Sequence, residues 1–108
     1  MHMVNNPIDT TQIDGFIRKY GESNCYIGIT DSTRERFAAH KIADSKGNKT
    51  NPKVAWYWGD AETEEKARAI EGDYKNRFDK LKGNPGGGKN PTKVYIYRII
   101  PGVTDEDA

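Results

Sequence analysis

Four side chains in this sequence belong to the types that phosphate chemistry uses. Arg36 and His40 are four residues apart in a segment with helical periodicity, so they project from the same face of a helix. Tyr26 lies in an apolar run with Gly28, whose missing side chain permits close approach to that face of a strand. Glu71 borders the apolar stripe of a later helix. We predict that Arg36 and His40 line one cleft with Tyr26.

Each of these residue types has a defined use at a phosphodiester. The planar guanidinium of Arg36 matches two phosphate oxygens. The carboxylate of Glu71 is a hard oxygen ligand, and Mg²⁺ commonly binds one or two carboxylates together with substrate phosphate and water. Tyr26 can position a water or relay its proton, and His40 can assist proton transfer or contact phosphate. Taken singly, each also has an ordinary explanation as a strand tyrosine or a solvated helix residue.

These residues lie on predicted helices and strands that alternate along the chain. Three short strands suit a small α+β sheet, although the repeated strand–helix–strand order also fits a parallel sheet. We predict the α+β class, with a small three-stranded antiparallel sheet flanked by about three helices. The elements are a helix over about 10–20 capped by Asp9, a strand over 25–30, a helix over 33–42 capped by Ser32, a strand over 54–58, a helix capped by Asp60 and a strand over 93–100.

The composition indicates one small domain with an aromatic core. The chain has 108 residues, 34% of them hydrophobic and 31% charged, with six tyrosines, three phenylalanines and two tryptophans. We predict a single domain over residues 1–104, with its core at 25–100 and an acidic tail at 105–108. No apolar run approaches the roughly 20 residues of a membrane span, so a membrane is not an expected partner. The lone Cys25 excludes a disulfide framework and a cysteine zinc site, and favours a cytoplasmic location.

The charges are nearly balanced overall but unevenly distributed. There are 17 basic and 16 acidic residues, and three of the acids lie within the last four positions. The remainder of the chain is therefore mildly basic, with a lysine-rich stretch between Lys41 and Lys53 and a further lysine in a glycine-rich loop. A solvated loop is the simpler explanation for these lysines. As candidate contacts to a nucleic-acid backbone we name Lys41, Lys46, Lys49 and Lys89.

The glycine-rich loop from Gly83 to Lys89 matches most of a nucleotide-binding P-loop pattern. Asn90 stands where that pattern has Ser or Thr. The loop also follows a predicted helix and precedes a strand, which is the reverse of the P-loop order. We therefore exclude binding of a nucleoside triphosphate here, and interpret the glycines as permitting a tight return of the chain to the sheet.

The string from Tyr26 to Thr30, followed by Arg36 and His40, resembles the second half of the GIY-YIG nuclease signature. The strand over 54–58 and the helix that carries Glu71 are similar to later parts of the same family, and the resemblance spans roughly residues 25–82. It implies an endonuclease that hydrolyses DNA with a single Mg²⁺ or Mn²⁺. It also implies that Tyr26, Arg36 and His40 act in catalysis and that Glu71 binds the metal.

The first half of that signature, Gly-Ile-Tyr, is missing upstream, where the nearest match, Gly15-Phe16-Ile17, lies in a helical pattern. We hypothesise that Lys93–Ile100 pairs antiparallel with Cys25–Thr30, which we expect at the centre of the sheet, and that Tyr95 supplies the missing tyrosine. The main alternative is a nucleic-acid-binding module that keeps the fold without cleavage. A structural or protein-interaction domain is a third possibility, and it predicts neither a metal effect nor salt-dependent DNA binding.

Overall fold

The computed structural model describes residues 6–42, 54–83 and 88–107. Within these ranges the chain forms three α-helices and one antiparallel three-stranded sheet, which confirms the predicted α+β class. The order of elements along the chain also agrees with the prediction. The elements are α1 (Thr10–Tyr20), a 3₁₀ turn (Glu22–Asn24), β1 (Cys25–Thr30), α2 (Thr33–Ala39), β2 (Trp56–Asp60), α3 (Glu64–Arg77) and β3 (Lys93–Arg98).

The last strand, β3, lies at the centre of the sheet, between β1 and β2. It pairs antiparallel with both neighbours, so the predicted pairing of the C-terminal segment with β1 is confirmed. In this register Tyr97 lies opposite Tyr26, and Tyr95 lies opposite Gly28. The expectation that β1 occupies the centre was wrong, because β3 uses its hydrogen bonds on both sides and leaves β1 at one edge.

Both outer strands have one further main-chain partner. Lys82 lies beside β1, where its carbonyl oxygen accepts a hydrogen bond from the Ile27 amide at 2.8 Å. Gly83 follows at a position where a Cβ atom would collide with the Ile27 carbonyl oxygen. At the other edge, the amide of Ile8 donates to the Asp60 carbonyl oxygen at 3.0 Å. These short bridges partly satisfy edges that would otherwise expose unpaired main-chain groups.

The sheet is covered on both faces, which is why every residue of β1 is buried. Helices α1 and α3 pack on one face over an aliphatic core. Helix α2 packs on the other face, over a cluster rich in tyrosine. None of the described helices combines the length and the apolar character needed to cross a membrane. The first core contains Ile13, Ile17, Cys25, Ile27, Ile29, Ala61, Ala67, Tyr74, Leu81, Val94 and Ile96, and the second contains Tyr26, Phe37, Ile42, Val54, Tyr95 and Tyr97.

Two of the three predicted helix caps are present. The Asp9 side chain accepts a hydrogen bond from the Thr11 amide and begins α1, and Ser32 caps α2 in the same manner. The third cap is Thr63 and not Asp60. Asp60 was assigned wrongly because β2 begins and ends two residues later than predicted, so that Asp60 is its last residue.

Candidate active site

Three tyrosines lie together on the sheet face that α2 covers. Tyr26 comes from β1, and Tyr95 and Tyr97 come from β3, where their two-residue spacing places them on one face. The ring of Tyr26 is stacked on both, with centroid distances of 6.3 Å to Tyr95 and 5.1 Å to Tyr97. Tyr95 therefore shares the face of Tyr26 and of α2, which carries Arg36, as the replacement hypothesis requires. The hypothesis also expected Glu71 at this face, but its helix α3 packs on the opposite one.

Gly28 and Tyr95 form a close pair across the two strands. A Cβ atom at Gly28 would lie only 2.5 Å from Cζ of Tyr95, which is less than van der Waals contact. The missing side chain of Gly28 does permit a close approach, as predicted from the sequence. The group that approaches is the Tyr95 ring, so the glycine is needed to seat a residue of the candidate site.

His40 lies at the centre of the cluster and has no exposed surface. Its Nε2 atom is 3.0 Å from the hydroxyl oxygen of Tyr95. Its Nδ1 atom is 2.6 Å from the carbonyl oxygen of Asp105 and 3.1 Å from the Tyr97 hydroxyl oxygen. The imidazole also packs against the Tyr26 ring, with 4.7 Å between the centroids. The histidine thus bridges two tyrosine hydroxyls and the C-terminal main chain.

The short helix α2 positions both Arg36 and His40. It ends at Ala39, earlier than the predicted end at Ile42, and His40 is its C-cap. The Nη2 atom of Arg36 lies 3.4 Å from Nε2 of His40. A hydrogen bond from Arg36 also reaches Tyr95, whose pKa it lowers against the larger, raising effect of burial. The structure therefore brings Arg36, His40, Tyr26 and Tyr95 together.

Burial keeps the two central groups of the cluster uncharged at neutral pH. It lowers the pKa of His40 from its ordinary value of 6.5, although the hydrogen bond to the Asp105 main chain acts in the opposite direction. It raises the pKa of the Tyr95 hydroxyl to about 12. Both shifts disfavour a separated tyrosinate–imidazolium pair, so Tyr95 can pass its proton to His40 only if it takes up another proton in the same step.

Glu71, on α3, acts on the cluster electrostatically. Its side chain is half-buried, and its Oε2 atom is buried without a hydrogen-bond partner among the described residues. Burial raises the pKa of this carboxyl group, while Lys75 and Arg68 lower it. The negative charge of Glu71 in turn contributes to the raised pKa of Tyr95. The structure thus places an unsatisfied carboxylate oxygen within electrostatic range of the cluster.

The described residues contain no group of three or more His, Cys, Asp or Glu side chains arranged to hold a metal ion. A single carboxylate still fits Mg²⁺, because this ion retains several waters and takes further oxygens from a substrate phosphate. The unpaired oxygen of Glu71 is the atom that would take this place. The donor set therefore fits a hard cation held mainly by water and phosphate, and not an all-protein metal cage.

Three C-terminal contributors to the cluster were missed in the sequence. The Asp105 amide donates to the His40 carbonyl oxygen at 2.9 Å, and the Tyr97 hydroxyl donates to Oε1 of Glu106 at 3.2 Å. The alternation of Tyr95 and Tyr97 was a local signal that could have identified Tyr97. No local pattern could have identified Asp105 and Glu106, because their contacts come from the docking of the acidic segment onto α2 and β3.

Two of the four lysines that we named as candidate nucleic-acid contacts lie in the described part of the chain. Lys41 and Lys89 are exposed. Lys89 follows Gly88, where a Cβ atom would lie 2.7 Å from a carboxylate oxygen of Asp31, so this part of the loop runs close to the end of β1. Lys46 and Lys49 lie outside the described residues. The role of all four lysines stays a prediction.

A cavity of about 560 Å³ opens between α1 and α3, on the other side of the sheet. Its volume alone would make it a candidate ligand site. Its lining residues include no tyrosine, histidine or unpaired carboxylate, so it offers fewer groups for acid–base catalysis or metal binding than the tyrosine cluster does. The residues that line it are Asp14, Ile17, Arg18, Glu22, Arg77 and Phe78.

Comparison of the chain with protein-family models, curated proteins and solved structures finds no significant match. The functional argument therefore depends on the side chains that the fold brings together and on the motif resemblance of residues 26–40.

Proposed function

We propose that this domain is a divalent-metal-dependent endonuclease that hydrolyses phosphodiester bonds in DNA. The observation that supports it most is the convergence of Arg36, His40 and Tyr95, linked by hydrogen bonds, from two separate elements. Tyr26 packs against them from a third element. These are the residues that the GIY-YIG resemblance and the replacement hypothesis identify. The lone buried Cys25 supports a cytoplasmic location as part of the same proposal.

In the proposed reaction the protein residues bind the phosphate and move one proton. The guanidinium of Arg36 binds phosphate oxygens and stabilises the negative charge that grows on them. The oxygen of an attacking water forms the new bond to phosphorus, and the bond from phosphorus to the leaving oxygen breaks. The Tyr95 oxygen takes the water proton as its own proton passes to Nε2 of His40, 3.0 Å away. Tyr26 positions the water, and solvent protonates the leaving oxygen.

Glu71 is the residue that we propose for the metal. Its buried, unpaired Oε2 atom is costly in the free protein, and a bound cation would offset this cost. Mg²⁺ or Mn²⁺ bound there would supply Lewis-acid polarisation of the phosphate oxygens. The carboxylate itself needs only to stay ionised and oriented, although its burial raises its pKa.

A non-catalytic nucleic-acid-binding module is the second candidate, and one observation favours it. His40 has 0% of its surface exposed, and Tyr26 and Tyr95 have 2% each. A hydrolytic site must admit a water and a phosphate, whereas a structural cluster gains from being closed. This candidate predicts DNA binding that weakens with salt, without cleavage.

The two candidates are separated by a nicking assay on supercoiled plasmid and branched DNA with Mg²⁺, Mn²⁺ or EDTA. The endonuclease proposal expects metal-dependent nicking that is lost in Glu71→Gln and Glu71→Ala, with DNA binding retained in a gel-shift assay. Glu65→Gln is the matched control, because Glu65 lies in the same helix and is exposed. Full activity of Glu71→Ala, or nicking in EDTA, would overturn the metal assignment. Binding without nicking in the unmodified protein would establish the second candidate.

A further inference from the structure

The contacts of His40 determine which of its nitrogens carries the hydrogen. Nδ1 lies 2.6 Å from the carbonyl oxygen of Asp105, and a carbonyl oxygen can only accept a hydrogen bond. Nδ1 must therefore donate. A neutral imidazole carries one hydrogen, so Nε2 is left as the acceptor. The two groups nearest to Nε2 agree with this, because the Tyr95 hydroxyl at 3.0 Å and the Arg36 guanidinium at 3.4 Å can both donate.

The C-terminal segment holds His40 at two points. The Asp105 carbonyl oxygen receives the ring hydrogen, and the Asp105 amide donates to the His40 main-chain carbonyl oxygen at 2.9 Å. The next residue, Glu106, accepts hydrogen bonds from the hydroxyls of Tyr97 and Thr104. The segment is thereby attached to the central strand as well as to the end of α2. These contacts orient the imidazole from the side opposite to Tyr95.

We propose that Asp105 and Glu106 are positioning residues that hold His40 in its Nδ1–H tautomer, so that Nε2 accepts the proton of the Tyr95 hydroxyl. The tautomer follows from the contacts alone, and its catalytic consequence rests on the proposed endonuclease function. The titratable and charged groups that face the imidazole are Arg36 from α2, Tyr26 from β1, Tyr95 and Tyr97 from β3, and Asp105 and Glu106 from the C-terminal segment.

The tautomer is tested by ¹⁵N NMR on the full chain labelled at histidine, with His40→Gln used to assign the signals. We expect a pyrrole-type resonance for Nδ1 and a pyridine-type resonance for Nε2 of His40 at neutral pH. Tyr95→Phe should shift the Nε2 resonance, because it removes a hydrogen bond to that atom. The reverse assignment, with the hydrogen on Nε2, would overturn the proposal.

The positioning role is tested by comparing Glu106→Ala with Asp107→Ala, which removes the same charge from an exposed neighbour. Alanine at position 106 removes the oxygen that accepts the Tyr97 hydroxyl, so Tyr97 can donate to Nδ1, 3.1 Å away, and favour the other tautomer. We therefore expect Glu106→Ala to shift both ring resonances towards a tautomer mixture and to lower kcat about tenfold, which is the lower end of the effect of residues that orient metal-binding histidines, with little change in KM. Asp107→Ala should behave as the unmodified protein. An unchanged tautomer in a folded Glu106→Ala variant would overturn the role of Glu106.

These measurements separate the inference from the proposed function. An unmodified protein that binds DNA but does not cleave it would overturn the endonuclease proposal, while the ring resonances would still decide the tautomer. A cleaving protein with the hydrogen on Nε2 would overturn the positioning role and leave the endonuclease standing. The unfolding midpoint of each variant, measured in parallel, shows whether a loss of kcat comes from a loss of fold.

Discussion

The position and charge state of each residue in the tyrosine cluster depend on the residues packed against it. Tyr95 occupies the space above Gly28, and its hydroxyl then lies within hydrogen-bond distance of His40. His40 is in turn neutral because it is buried. A change in any one of these three residues is therefore expected to affect the others, so their substitution effects should not be additive.

We predict that Gly28→Ala destabilises the protein by about 1–3 kcal/mol, because the added methyl group overlaps the Tyr95 ring. Urea unfolding followed by circular dichroism measures this loss. Gly72→Ala in α3 is the matched control, since a Cβ atom there meets nothing within 4 Å. In a helix that change should stabilise by roughly 0.5–1 kcal/mol. Equal stability of Gly28→Ala and the unmodified protein would contradict the close packing.

We predict that Arg36→Lys lowers DNA cleavage at least about tenfold, because lysine keeps the charge but loses the planar fork that matches a phosphate. Initial nicking rates at saturating Mg²⁺ measure the effect. Arg34→Lys is the control, because Arg34 is an exposed arginine on the same helix. A rate loss shared by both variants would indicate a general effect on α2 and not a role for the Arg36 fork.

The lowered pKa of His40 makes stability depend on pH. Below the ordinary value of 6.5 the unfolded chain binds the proton more readily than the folded protein does. The free energy of unfolding should therefore fall as the pH decreases from 6.5 towards the folded pKa. His40→Gln should reduce this slope, and His2→Gln measures the share of the other histidine in the chain. A slope unchanged by His40→Gln would contradict the burial effect.

At the scale of elements, the position of β3 between β1 and β2 assembles the candidate site. A central strand presents its residues to both neighbours, so Tyr95 and Tyr97 lie beside Tyr26 from β1. Helix α2 is short, and its end places the His40 imidazole above this row of rings. Helix α3 packs on the other face of the sheet, and the charge of its Glu71 acts on Tyr95. The tyrosine cluster itself thus combines side chains from β1, β3 and the end of α2.

The stability of α3 should depend on its N-cap. The hydroxyl oxygen of Thr63 accepts a hydrogen bond from the Lys66 amide at 3.1 Å, so Thr63→Ala should cost about 1 kcal/mol. Ser32→Ala should cost less, because its bond to the Glu35 amide is longer, at 3.4 Å. Urea unfolding of both variants gives the comparison. A larger loss at Ser32 than at Thr63 would contradict this ranking.

At the scale of the whole molecule, contacts between distant parts of the chain hold the candidate site together. The bond between His40 and Asp105 joins residues 65 positions apart. The bond between Tyr74 and Asp14 likewise ties α3 to α1 across 60 positions, on the other face of the sheet. Chains of about this length usually unfold in one cooperative transition, so events at the candidate site should be detectable in global unfolding.

A cation bound by Glu71 in the folded state should raise the unfolding midpoint progressively as the cation concentration increases. We therefore predict that Mg²⁺ or Mn²⁺ increases the thermal midpoint of the unmodified protein and of Glu65→Gln, but not that of Glu71→Gln. Differential scanning fluorimetry with and without EDTA measures the shift. A shift of equal size in Glu71→Gln would place the cation elsewhere in the protein.

The sequence by itself was sufficient for the features that depend on near neighbours. The α1 helix with its Asp9 cap, the β1 strand and the Ser32 cap of α2 follow from hydrogen bonds and periodicities within a few residues. The motif from Tyr26 to His40 could also be identified from the sequence, because its residues lie in two consecutive elements, β1 and α2. The end of α2 at Ala39 was not, since the chain leaves the helix there to place His40 beneath the C-terminal segment.

The pairing of β3 with β1 was predicted, but only the tertiary structure decided the other contacts between distant segments. The central place of β3, the seating of Tyr95 over Gly28 and the docking of Asp105 on His40 each join parts of the chain more than 30 residues apart. Such contacts depend on closing long loops and on burying two surfaces at once, and neither leaves a periodic trace in the sequence. The acidic residues 105–107 resemble a solvated tail when only the sequence is considered. In the fold, the Asp105 carbonyl oxygen accepts the hydrogen of the His40 imidazole, and Glu106 accepts a hydrogen bond from the Tyr97 hydroxyl.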